Sequence, residues 1–142
     1  MNLYETDYAG WAGQQASLLR SGQFSLLDTE QVAAELDCIM GNERRELFRH
    51  LRVLLAHLLK WQLQPEKRSR SWEASIDVHR TDIAQLLKES PSLKPIVGDK
   101  IKEAYPKAVK IAYAETGLPK SIFPEICPYQ QDEILDENFW PD

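Results

Sequence analysis

The chain has 142 residues, 43% hydrophobic and 27% charged, and this composition excludes a disordered or fibrous protein. That length suits a single domain able to bury roughly two thirds of its unfolded surface. The net charge of −5 argues against a protein dominated by nucleic-acid binding, and no apolar run approaches the roughly 18 residues of a membrane span.

A first helix is predicted over 7–20. Tyr8, Trp11, Ala12, Leu18 and Leu19 lie near one face, and Ser21-Gly22 supplies the stop. Asp28 followed by Gln31 resembles a capping box, so a second helix is expected from there, turning Val32, Leu36, Ile39 and Met40 inward. Gly41-Asn42 then either separates two helices or is absorbed into one rod, since a glycine costs a helix only about 1 kcal/mol. From Glu43 to Leu63 the helical period is clearest. Leu47, Leu51, Leu54 and Leu58 share one side, and Arg45, Arg49 and Arg52 fall on nearly the opposite one. Pro65 ends this run because it pushes the residue before it out of helical geometry.

Beyond a basic connector, Ser71 is placed to cap a helix over 72–88 with Trp72, Ile76, His79, Ile83, Leu86 and Leu87 inward. Ser90-Pro91-Ser92 reads as a turn. A last long helix is expected to open near Pro95, bury Val97, Ile101, Ala104, Ala108, Ile111 and Ala112, and kink at Pro106 before Gly117 closes it. From Leu118 onward four prolines break regular structure while Phe123, Ile134, Phe139 and Trp140 offer anchors. The sequence therefore predicts an all-α fold without a sheet, in one domain over 1–142. Its irregular bundle of four to five main helices spans 1–117, and a Pro-rich C-terminal arm over 118–142 packs across it.

Charge is segregated along the chain. Asp28–Glu43 carries five acids and no base, Arg44–Arg70 eight bases against two acids, and Leu118–Asp142 six acids against Lys120. Such blocks predict charge matching within the fold before they predict a partner. Cys38 and Cys127 fit no metal-binding or redox spacing and are expected to be buried thiols in a reducing cytosol. With no basic-then-apolar leader at the N-terminus, a cytoplasmic location is expected.

Three groups of residues could carry chemistry. The connector sets Arg68 and Arg70 beside serines at a helix start, flanked by Trp61 and Trp72, and could hold a phosphate or contact a partner. The row Arg45, Arg49 and Arg52 could follow a nucleic-acid backbone, although charge rows on helices are usually solvated surface. A metal site would need His57 and His79 to converge with Glu43 or Glu35. His50 and His57 are two helical turns apart, and neither a zincin nor a Glu-x-x-His spacing is present. No nucleophile motif, glycine-rich phosphate cradle or cofactor fingerprint occurs, so no cofactor is expected.

The strings Tyr8-Ala9-Gly10-Trp11-Ala12, Glu43-Arg44-Arg45-Glu46-Leu47 and Leu54-Leu55-Ala56-His57-Leu58-Leu59-Lys60-Trp61-Gln62 together form a distinctive pattern. So do Gln64-Pro65, Arg68-Ser69-Arg70-Ser71-Trp72, Glu115-Thr116-Gly117-Leu118-Pro119, Phe123-Pro124-Glu125-Ile126-Cys127-Pro128-Tyr129 and Phe139-Trp140-Pro141. Over nearly its full length the chain resembles a bacterial family catalogued as domain of unknown function number twenty-nine, with His79 a departure from that family's pattern. The resemblance implies an all-helical fold and brings no activity, cofactor or catalytic residue. The leading expectation is a non-catalytic interaction protein, a homo-oligomer or the binder of another protein, with the Trp/Arg connector as its contact surface. The alternatives are a nucleic-acid-binding protein or nuclease using the basic helix face, and a metal-dependent enzyme at His57 with nearby carboxylates.

Overall fold

The computed structural model describes residues 2–142. Six α-helices joined by short 3-10 turns make up its regular structure, and no strand occurs among the described residues. The helices are α1 (Leu3–Thr6), α2 (Tyr8–Arg20), α3 (Thr29–Leu63), α4 (Arg70–Glu89), α5 (Val97–Thr116) and α6 (Gln131–Leu135). α3 runs through Gly41 and Asn42 without a break, so the choice left open by the sequence falls to one continuous helix. The chain forms two compact units, one reaching Asn42 and the other Glu43–Asp142.

The N-terminal unit contains α1, α2 and the first part of α3. Asn2 caps α1 by accepting from the Tyr4 backbone N–H, and Asp7 caps α2 by accepting from that of Gly10. Gly22 follows α2 at φ 73°, a left-handed turn conformation that glycine adopts at least cost. Only Trp11 and Gln15 of α2 are buried. The Trp11 indole donates to Asp28 Oδ2 at 3.2 Å, and Gln15 Oε1 accepts from the Asp28 backbone N–H at 2.8 Å. The two contacts tie α2 to the start of α3. The residues expected to turn inward on this part of α3 do not: Leu36, Ile39 and Met40 are exposed, and Val32 is only partly covered. The physical reason is supply. Two helices and a turn have one mutual face to offer, and about forty residues cannot enclose a core of ordinary depth.

The C-terminal unit has that core. Leu47, Leu51, Leu54, Leu55, Leu58 and Leu59 of α3 are fully buried, as the helical period predicts. They pack with Ile76, Ile83 and Leu86 of α4, with Val97, Ile101, Ala104, Tyr105, Ala108 and Ala112 of α5, and with Phe123, Tyr129 and Ile134 beyond. α4 starts two residues earlier than the sequence suggests, because Ser69 and not Ser71 caps it, its hydroxyl accepting from the Trp72 N–H. α5 continues through Pro106, although the missing proline N–H leaves the Lys102 carbonyl without its usual donor. Gly117, at φ 69°, closes α5. Residues 118–142 form an arm with one 3-10 turn and the five-residue α6.

Candidate functional site

The connector folds against the end of the C-terminal arm. Arg68 Nε donates to the Trp61 carbonyl at 2.8 Å and one terminal nitrogen donates to the Pro141 carbonyl at 3.2 Å. The guanidinium also lies 4.9 Å from the centroid of the Trp61 ring, which meets Trp140 at 4.7 Å. One cation thus joins the end of α3 to the chain terminus, and its donors face carbonyls. Trp72 is met by a second cation. Lys60 Nζ sits 5.0 Å from its ring centroid while donating to Glu115 Oε2 at 2.6 Å. Arg70, the first residue of α4, is exposed. The structure therefore brings Trp61 and Arg68 together and places Trp72 with Lys60.

A third cation has no forerunner among the sequence candidates. Arg80 of α4 is only 3% exposed, yet among the described residues no carboxylate comes within ion-pair distance of it. Its Nε donates to the Ile134 carbonyl at 2.8 Å, its Nη2 to the Glu133 carbonyl at 3.2 Å, and its guanidinium lies 5.7 Å from the Trp140 ring centroid. Nη1 is buried without an acceptor. Burial pulls the guanidinium below its ordinary pKa, with Asp136 and Asp77 opposing from farther away. A sequence signal was available: Arg80 stands between Ile76 and Ile83 in the apolar stripe of α4, where a solvated arginine does not belong. The acidic C-terminal block thus meets Arg68 and Arg80 through backbone carbonyls.

The arginine row on α3 is spread over different environments. Arg49 pairs with Glu46 at 2.5 Å, and Arg52 lies 5.8 Å from the Phe48 ring centroid with a buried, unpartnered Nε. Arg45 is exposed. Between this helix and α4 the histidines pair in a way the spacing argument did not anticipate. His50 Nδ1 lies 2.9 Å from His79 Nδ1, and His50 Nε2 lies 3.1 Å from Glu46 Oε1. The nitrogen–nitrogen contact needs one ring to donate and the other to accept. Burial lowers the His79 pKa, and the neighbouring His50, His57 and Arg49 lower it further against the pull of Asp82. His57 does not meet Glu43. The two stand fourteen residues apart on one helix, about 21 Å along its axis. His57 Nδ1 contacts the Val53 carbonyl at 2.9 Å, and Glu43 accepts from the Ser90 hydroxyl at 3.2 Å. Among the described residues no group of three or more His, Cys, Asp or Glu side chains is placed to hold a metal ion.

The N-terminal unit carries the largest departure from an ordinary surface. Leu3, Tyr8, Leu19, Phe24, Leu26, Leu36, Ile39 and Met40 are all exposed, eight of the twelve exposed large hydrophobics among the described residues, within less than a third of the chain's length. Leu36, Ile39 and Met40 fall at i, i+3 and i+4, so they form one stripe on α3, and Leu36 is 59% exposed. Around them the charge is one-sided: six acids up to Asn42 against Arg20 alone. One of these acids, Glu35, accepts from the Tyr4 hydroxyl at 2.5 Å and also from that of Tyr8. These two donors hold the Glu35 carboxyl below the usual carboxylate range, and the bond pushes the Tyr4 phenol up to about 12.

Among the described residues no helix is long and apolar enough to cross a membrane. Neither a curated protein nor a solved structure matches the chain. One family does, and its match takes in both units. The chain belongs to the family described as Domain of unknown function DUF29, matched over residues 3–140.

Proposed function

We propose that this protein is a non-catalytic interaction module, and that it binds its partner on the apolar, acidic face of its N-terminal unit. The observation that carries the reading is the helical stripe Leu36, Ile39 and Met40, left in water by a unit that buries only Trp11 and Gln15 and that also exposes Leu19, Phe24 and Leu26. A contiguous apolar stripe of this kind marks contact surfaces in folded proteins. The connector is a weaker contact surface by the same reasoning, because Arg68 already donates to Trp61 and Pro141.

Charge selects the kind of partner. A second copy would set the same net −5 of residues 2–42 against its like. A helical segment of another protein, basic on its rim and apolar along one face, would bury the stripe and neutralise the acids together. Two free thiols suit a reducing compartment such as the cytoplasm, although neither is buried as expected: Cys127 is half-buried, and Cys38 is exposed because it lies on the part of α3 that the N-terminal unit leaves uncovered.

The test is fluorescence anisotropy with two labelled amphipathic helices, one built of leucine and lysine and one of leucine and glutamate. The reading expects the lysine peptide to bind in a salt-sensitive manner and the glutamate peptide not to bind. Leu36→Gln with Ile39→Gln, which leaves the charge unchanged, should weaken the lysine peptide about tenfold or more, since about 1.4 kcal/mol of lost apolar contact suffices. Equal binding of both peptides, or no effect of the glutamines, would overturn it. Sedimentation of the protein alone as a dimer that the same substitutions dissociate would hand the face to a second copy.

A further inference from the structure

Between α5 and the start of the C-terminal arm lies a cavity of about 570 Å³, lined by apolar groups and bordered by two lysines. Its floor is firm. Tyr105 and Phe123 are 4% and 6% exposed, and the Tyr105 hydroxyl donates to the Pro124 carbonyl at 2.6 Å, fixing the arm to the helix. Pro106, Val109 and Pro124 add apolar wall without a side-chain donor or acceptor. The volume falls within the roughly 300–1,000 Å³ that small-molecule sites occupy, and mostly apolar walls with a few polar groups are their usual make-up.

The rim supplies the polarity. Lys110 and Lys120 both line the cavity and are both exposed, and neither is tied to a protein carboxylate. What sets these two apart from the chain's other exposed lysines is their place, two ammonium groups on the lip of one apolar hollow. One acid, Glu125, shares the lining and leaves the rim with an excess of one positive charge.

We infer that this cavity binds a small apolar monocarboxylate, its hydrocarbon body over Tyr105 and Phe123 and its carboxylate between Lys110 and Lys120. The hydrophobic effect supplies the affinity and the exposed lysines mainly the choice of head group, since ammonium groups in water contribute little alone. Glu125 works against a second negative charge, which favours a monoanion over a dicarboxylate or a phosphate monoester. The inference is independent of the N-terminal face, which lies in the other unit and carries the opposite charge.

The experiment titrates the whole protein with 2-naphthoate and with its neutral counterpart 2-naphthalenemethanol by calorimetry. The acid should bind about tenfold more tightly than the alcohol, the equivalent of about 1.4 kcal/mol. Lys110→Ala with Lys120→Ala should abolish that preference and leave the alcohol's affinity unchanged. Ser121→Trp, a substitution at an exposed lining position, should block both probes, whereas Leu36→Asp should alter neither. Equal affinity for the two probes, a preference that survives loss of both lysines, binding undisturbed by Ser121→Trp, or no binding up to about 10 mM would each overturn the inference.

Discussion

Replacing Arg80 by leucine removes the cation that fastens α6 to α4, and the structure sets the cost. Leucine keeps the apolar stem that sits between Ile76 and Ile83, so the change isolates the guanidinium. The Ile134 carbonyl loses its donor at 2.8 Å, whereas the Glu133 carbonyl loses the one at 3.2 Å and keeps the Asp136 N–H at 3.3 Å. A buried carbonyl left without a donor costs about 1–3 kcal/mol, and the stacking on Trp140 adds about 0.5–2. Against this stands relief, because a buried guanidinium without a carboxylate partner, and with Nη1 lacking an acceptor, is itself expensive. Removing a buried ion can stabilise a protein when its partners are replaced as well. Here the partners are backbone and cannot be replaced, so the loss outweighs the relief and the net destabilisation should be about 2–3 kcal/mol. Urea unfolding followed by tryptophan fluorescence measures it, and amide exchange over 131–141 should accelerate more than exchange in the α3 core. An Arg80→Leu protein as stable as the parent, or a loss spread evenly over all helices, would refute the argument that Arg80 is a clasp.

Two further outcomes follow from the shifted groups. His57 and His79 both titrate below the ordinary histidine value, chiefly through burial, so the folded state binds their protons less readily than the unfolded chain does. Their contribution to stability is complete above the unfolded pKa of about 6.5 and is lost as pH falls through the folded values. The urea midpoint should therefore decline from about pH 7 toward pH 5, and His79→Gln should flatten that slope; a slope unchanged by the substitution would be evidence against it. At the other unit, Tyr4→Phe with Tyr8→Phe removes both donors to Glu35, and its carboxyl should return upward to the ordinary range. Carbon-detected NMR titration of the glutamate side chains reads this directly, and a Glu35 value that stays low would locate the cause elsewhere.

Helical period was legible wherever a face is buried by many neighbours. The α3 leucines from Leu47 to Leu59 and the α5 run from Val97 to Ala112 repeat at 3–4 residues, and both stripes are covered by other helices. The same period in Val32, Leu36, Ile39 and Met40 led to the opposite result, because period reports that a face is apolar and says nothing about what covers it. Only the inventory of neighbouring elements settles coverage, and the N-terminal unit has too few. The polar contacts failed for a related reason. His50 and His79 are 29 residues apart, Arg80 and Ile134 54, and Lys60 and Glu115 55, so no local spacing rule reaches them. Acidic and basic blocks suggested carboxylate pairing between segments, yet Arg68 and Arg80 bind backbone carbonyls of the C-terminal arm, those of Pro141, Ile134 and Glu133. What sequence could offer there was a contradiction, an arginine in an apolar stripe. A face patterned for burial and left uncovered is a contradiction of the same kind, and each of the two points to the group that would resolve it. For Arg80 that group is the Ile134 carbonyl, and for Leu36 and Ile39 it is the apolar face of the helix proposed above.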